Sequence, residues 1–141
     1  MSRENVEVVR GWLDTWVGWF NSPRDSDRLA VLAAEFMAEN VTYEEDPVWP
    51  DAGTYHGLDA VVRRFAEYID LVHIEGVEPG KVIEAGDLVV AEVRIAMLGA
   101  DAGEAVEFLW TYTLQVEDGR IVHFRAWYDH EAALEAARLS E

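Results

Sequence analysis

The chain has no cysteine and only one lysine. Without a thiol there is no disulfide, no thiolate metal ligand and no cysteine nucleophile. Phosphate groups are held by clusters of Lys and Arg, and here 11 bases face 28 acids, a formal net charge of −17. Nucleic acid and anionic membrane surfaces are therefore not expected partners. No apolar run is long enough for a membrane span, and the first residues are polar and charged. The expected location is cytoplasmic. The acidity reads first as a source of solubility, with attraction of cationic ligands as the alternative.

What is present is apolar bulk. Half of the 141 residues are hydrophobic, enough for the core of one domain spanning 1–141. Six tryptophans and five tyrosines must line a core, a pocket or an interface.

Val6, Val9, Leu13, Trp16, Val17 and Phe20 recur at helical spacing and predict a helix over Glu4–Phe20, with Gly11 and Gly18 as sites of close packing by a neighbour. A second helix is expected over Asp27–Glu39, capped by Asp25 or Ser26. Val41–Asp46 reads as a strand ended by Pro47, and Val48–His56 as a loop of the kind that rims sites. Gly57–Val72 is a third helix, its inner side formed by Val61, Val62, Phe65, Tyr68, Ile69 and Val72. The period then changes to two. Strands are expected over Lys81–Glu84 and Leu88–Leu98, with Val89, Ala91, Val93 and Ile95 on one face and Val90, Glu92 and Arg94 on the other. A loop over Gly99–Gly103 follows. A hairpin runs from Glu104 to Asp129 around Asp118-Gly119, and a short helix closes the chain over His130–Leu139. Helices followed by antiparallel strands indicate an α+β domain, with a long, strongly curved sheet wrapped around three N-terminal helices.

A two-residue turn at Asp118-Gly119 pairs Glu117 with Arg120. Counting outward puts Thr113 across from Phe124, Thr111 from Ala126 and Leu109 from Tyr128 on one face. That face suits a pocket wall with hydrogen-bonding groups. The opposite face would carry Trp110, Tyr112, Arg125 and Trp127. Burying so many aromatics points to a homodimer through the outer sheet face, or to cover by the final helix.

Several stretches together resemble the SnoaL-like branch of the NTF2-like superfamily: Val8-Val9-Arg10, Glu45-Asp46-Pro47, Gly57-Leu-Asp-Ala-Val61, Trp110-Thr-Tyr-Thr-Leu and Asp118-Gly-Arg-Ile-Val-His-Phe-Arg125. The resemblance spans nearly the whole chain. It implies a cone with a mixed or antiparallel sheet and a pocket that works without a cofactor or metal. Related folds include ketosteroid isomerases, whose catalytic aspartate sits in a Glu-Asp-Pro sequence, so the resemblance implies Asp46 as the catalytic base. The oxyanion-hole positions of those enzymes fall near Trp12 and Thr111, neither of which is the tyrosine or aspartic acid used there. The Arg-x-Asp strand motif of related epoxide hydrolases appears here in reversed order, as Glu92-Val93-Arg94.

The expected pocket wall comprises Trp12, Trp16, Phe20, Tyr43, Trp49, Tyr55, His56, Phe65, Thr111, Thr113, Phe124 and Tyr128. Walls of Trp16, Tyr43, Trp49 and Tyr128 around Asp46 would desolvate its carboxyl and raise its pKa. His56 reads as a pocket acid/base or a capping residue. Glu92 and Arg94 read as an ion pair or as a carboxylate-binding site, and Asp129 as the cap of the last helix. The histidines, His73 included, show no metal-ligand spacing. Three functions fit these residues. One is an isomerase, cyclase or dehydratase acting on an apolar carbonyl compound. Another is a binding module for a small apolar ligand. The third is an assembly domain with a vestigial pocket. The substrate is not legible in the sequence.

Overall fold

A computed structural model describes residues 2–21, 25–49, 52–71, 74–98 and 105–139. Four helices and six strands follow in the order α1 (Ser2–Phe20), α2 (Ser26–Phe36), β1 (Met37–Glu44), β2 (Thr54–His56), α3 (Leu58–Leu71), β3 (Ile74–Ala85), β4 (Leu88–Leu98), β5 (Ala105–Glu117), β6 (Arg120–Trp127) and α4 (His130–Leu139). The strands form one sheet, β2-β1-β6-β5-β4-β3, antiparallel except where β1 runs parallel to β6. The architecture is an α+β cone, as expected. No helix among the described residues is long and apolar enough to cross a membrane.

The first three helices lie on the inner face of the sheet because each carries an apolar stripe. Val9, Trp12, Leu13, Trp16 and Phe20 of α1 join Leu29 and Ala33 of α2, and Val61 and Val62 of α3, in one core with the inner strand residues. Gly11 allows a close approach by α2: a Cβ there would lie 2.9 Å from Phe36. Gly18 has nothing within 4 Å and serves no such contact. Asp25 caps α2 by accepting from the Asp27 amide, and the side chain of Asn21 bonds both the carbonyl (2.9 Å) and the amide (3.3 Å) of Val77, which ties the end of α1 to β3.

Three boundaries differ from the sequence reading. The second helix stops at Phe36 and passes directly into β1, which begins at Met37, so the stretch to Glu39 is strand rather than helix. Thr54–His56, expected as loop, is an edge strand. β3 starts at Ile74, well before Lys81, and absorbs Pro79 because this edge strand pairs only with β4; the register shifts between Pro79 and Val82. The Gly99–Gly103 loop, Val72, His73 and the side chains of Tyr68 and Ile69 lie outside the described residues.

The hairpin turn forms as expected, with Asp118 at φ 52° and Gly119 at φ 79°, the left-handed pair such a turn requires. Beyond it the register departs from the simple count. Val116 pairs with Ile121, then Gln115 with His123, so Val122 is extra: a β-bulge. Every later pair slips by one, to Leu114/Phe124, Thr113/Arg125, Tyr112/Ala126 and Thr111/Trp127. With a side-chain period of two, this slip exchanges the faces of β5 relative to β6. Trp110, Tyr112, Leu114 and Val116 face inward, and Thr111 and Thr113 face outward.

α4 lies against the outer face. Asp129 caps it, accepting from the amides of Glu131 (2.9 Å) and Ala132 (3.3 Å). Ala137 and Leu134 pack with Val90, Ala85 and Leu88 in a second apolar cluster. The hydroxyl of the fully buried Thr111 is hydrogen-bonded to His130 Nδ1 at 2.9 Å, and His130 Nε2 meets Glu92 at 3.3 Å.

Candidate functional site

The inner residues of α1, Phe65 from the middle of α3 and three strands enclose a cleft. Val9, Trp12, Leu13, Trp16, Phe65, Ala91, Tyr112, Leu114 and Phe124 line it. The enclosed space is ≈ 20 Å³, room for about one or two waters. Counted out to its open mouth, the cleft spans ≈ 340 Å³. The enclosed part bounds what fits without movement, so a larger guest must displace aromatic side chains. Aromatic contacts stiffen the walls: Phe124 stacks on Tyr43 at 4.6 Å, and Trp16 meets Phe20 at 5.5 Å and Phe65 at 6.3 Å. The Nε1 of Trp16 is buried and has no hydrogen-bond partner among the described residues.

Of the twelve side chains expected in the pocket wall, Trp12, Trp16, Phe65 and Phe124 line the cleft. Phe20 and Tyr43 lie behind it in the core. Tyr55 stacks on Tyr43 under the guanidinium of Arg64, which sits 5.4 Å above its ring. Trp49 packs edge-on against Trp110 at 4.3 Å and reaches Tyr128 at 6.4 Å, while Tyr128 itself is 54% exposed. His56 is exposed on β2, hydrogen-bonded through Nδ1 to Thr42 at 3.1 Å, and takes no part in the cleft. Thr111 and Thr113 are on the opposite face from the cleft, a correction forced by the bulge. Thr113 accepts from the Trp127 indole N–H at 2.9 Å.

The same bulge revises the outer patch. Trp110 and Tyr112 belong to the inner core, whereas Arg125 stacks over Trp127 at 4.0 Å on the outer side. Glu92 pairs with His130 rather than standing with Arg94 as a carboxylate site.

Asp46 is positioned by local geometry. One carboxylate oxygen accepts from the Val48 amide at 3.1 Å, and the other from the Tyr128 amide at 2.9 Å. It joins the loop after β1 to the end of β6 and is not among the residues lining the cleft.

Arg64, which no motif singled out, and Glu45, given no role of its own within Glu45-Asp46-Pro47, organise this end of the fold. Arg64 of α3 donates through Nε to Glu45 Oε2 at 2.9 Å and through a terminal nitrogen to Oε1 at 3.0 Å. Glu45 Oε1 also accepts from the Gly53 amide at 3.2 Å. The pair is almost wholly buried, with side-chain exposures of 11% and 6%. The hydrogen bond to Glu45 raises the Arg64 pKa above its ordinary value, against burial, which works the other way. A bidentate pair at this depth ties the end of β1 to α3.

The model of the SnoaL-like domain family matches residues 9–124. The chain belongs to the SnoaL-like family. That span includes all nine residues lining the cleft. No curated protein matches the chain. Among solved structures it is similar to a candidate SnoaL-like polyketide cyclase from Jannaschia Sp. CCS1 (TM-score 0.68, 18% identity, covering 97% of this chain and 93% of that one). It is similar to an NTF2-like protein from Burkholderia thailandensis E264 (TM-score 0.65, 24% identity, 96% and 97% covered). It is also similar to a de novo designed protein with a curved β-sheet (TM-score 0.64, 19% identity, 97% of both chains covered). At these identities the SnoaL-like chain shares a fold with them. A shared fold does not by itself imply a shared activity.

Proposed function

We propose that this SnoaL-like domain is a binding module that holds a small apolar molecule in the cleft between α1 and the inner sheet face. The observation that carries this reading is the chemistry of the wall. Its described lining is aliphatic and aromatic, with the Tyr112 hydroxyl and the indole N–H groups of Trp12 and Trp16 as its polar groups and no carboxylate, imidazole or basic side chain. A general base must come within hydrogen-bond reach of the proton it removes. Asp46 is held elsewhere, with both oxygens on backbone amides. Apolar lining with few polar groups suits retention of a ligand by burial.

The test is equilibrium binding of small cyclic hydrocarbons and ketones, followed by tryptophan fluorescence, in three proteins. Wild type and Asp46→Asn are expected to bind alike. Ala91→Leu, which fills the cleft wall, is expected to lose binding while circular dichroism stays native. Loss in Asp46→Asn together with retention in Ala91→Leu would overturn the reading. Turnover of any of these compounds would contradict the reading as a binding module.

A further inference from the structure

The enclosed space of the cleft, ≈ 20 Å³, admits no ring compound until a wall gives way. The walls are not equally fixed. Ala91, Tyr112, Leu114 and Phe124 stand on β4, β5 and β6, each of which has a strand on both sides. The end of α1 is tied to β3 through Asn21. α3 contributes one residue to the lining, Phe65, and the next residue back is Arg64, whose buried pair with Glu45 joins α3 to the end of β1. Behind Phe65 the contacts close into a ring. Glu45 holds Arg64, Arg64 lies 5.4 Å above the Tyr55 ring, Tyr55 stacks on Tyr43 at 6.2 Å, and Tyr43 meets Phe65 edge-on at 5.3 Å. Tyr43 also stacks on Phe124 at 4.6 Å, and Phe65 and Phe124 are 6.0 Å apart in the wall itself. A bidentate pair fixes both distance and angle, whereas apolar side chains at the same place would leave α3 free to slide.

We infer that Arg64 and Glu45 are positioning residues for the cleft: their pair holds α3 against β1 and Phe65 in the wall, and so sets an upper limit on the size of the guest. The inference rests on the binding reading above and deepens it from a small apolar molecule to compact rings in preference to larger ones of the same chemistry. A larger guest pushes Phe65 outward and must stretch the pair, which sits where its charges are poorly hydrated. A compact guest is accommodated by side-chain movement and leaves the pair intact. Neither Arg64 nor Glu45 is among the residues lining the cleft, so both act through Phe65.

The experiment compares cyclopentanone with cyclooctanone, which share the carbonyl and differ in ring size. Dissociation constants are measured by equilibrium dialysis for wild type, Glu45→Gln, Arg64→Lys and Val90→Ala. Gln keeps the shape of Glu45 without its charge, and Lys keeps the charge of Arg64 without its planar fork. Val90→Ala loosens the apolar cluster under α4, on the face away from the cleft, and controls for a general loss of stability. Comparing the ratio of the two constants between proteins cancels the difference in hydration of the two ketones. Relative to wild type, the preference for the smaller ring should fall about 2- to 30-fold in Glu45→Gln and in Arg64→Lys, the range over which residues that contact no ligand act on a site. It should stay unchanged in Val90→Ala. A second readout needs no variant: in wild type the amides of α3 should exchange faster in the cyclooctanone complex than in the cyclopentanone complex. Four results would each overturn this inference alone: an equal preference in all four proteins, an equal fall in Val90→Ala, cyclopentanone bound by all four proteins and cyclooctanone by none, or α3 exchange that is the same in the two complexes. Binding of neither ketone would overturn the binding reading as well.

Discussion

Cutting the Glu45–Arg64 pair from one side should be among the most damaging single changes in this domain. Glu45→Ala removes both acceptors of the guanidinium and the acceptor of the Gly53 amide, yet leaves Arg64 beneath the loop. Removing one partner of a buried pair costs about 3–5 kcal/mol, because the remaining charge is desolvated and unpaired. Two features place the expectation at the lower end. Arg64 retains the Glu67 carboxylate at 3.9 Å and its position over Tyr55. About 3 kcal/mol is expected, a fall in melting temperature of roughly 6–12 °C for a domain of this size. The double variant Glu45→Leu/Arg64→Leu replaces two ions by apolar side chains and should recover most of that loss. Urea unfolding with a common m-value gives the free energies. If Glu45→Ala costs under about 1 kcal/mol, the pair is in effective contact with water. If the double variant costs the sum of its singles, the two residues are not coupled. Either outcome refutes the argument.

Asp46→Asn keeps one acceptor oxygen where the carboxylate supplies two, so a loss of about 1 kcal/mol in thermal or urea stability is expected, with ligand binding unchanged. Thr111→Val removes the hydroxyl that meets His130, and should speed amide exchange in α4 while leaving β5 protected. Deletion of Val122 removes the bulge but leaves Ile121, Phe124 and Ala126 facing inward, so the variant should fold with a native-like spectrum; unfolding would show that the bulge itself is required.

The sequence made the inner faces of α1 and β4, the Asp-Gly turn and the cap of α4 legible, because each is set by local spacing or by one turn residue. The bulge at Val122 was harder, since an extra residue has no composition of its own. Its trace is a break in parity. Trp110, Tyr112, Leu114 and Val116 form an unbroken apolar set on β5, and Ile121 continues it on β6, but Phe124 and Ala126 fall on the other parity. An even count from the turn therefore placed Thr111 and Thr113 in the cleft, where the structure places Tyr112 and Leu114. The Glu45–Arg64 pair was hidden for a different reason. Its partners are 19 residues apart in a chain with 28 acids, and only the return of α3 over the end of β1 brings them together. The Glu-Asp-Pro motif drew attention to Asp46, whereas the neighbouring Glu45 is the more deeply anchored carboxylate. The start of β3 at Ile74 was less legible because Pro79 and Gly80 interrupt the strand's sequence; an edge strand accommodates them.

The most direct test of the central claim is the location of a bound guest. A crystal structure of the protein with cyclopentanone should show it between α1 and the inner sheet face, against Leu13, Trp16, Ala91 and Leu114. Density for the guest beside the Asp46 carboxylate, or on the outer face by Thr111 and Thr113 with the cleft empty, would contradict the account.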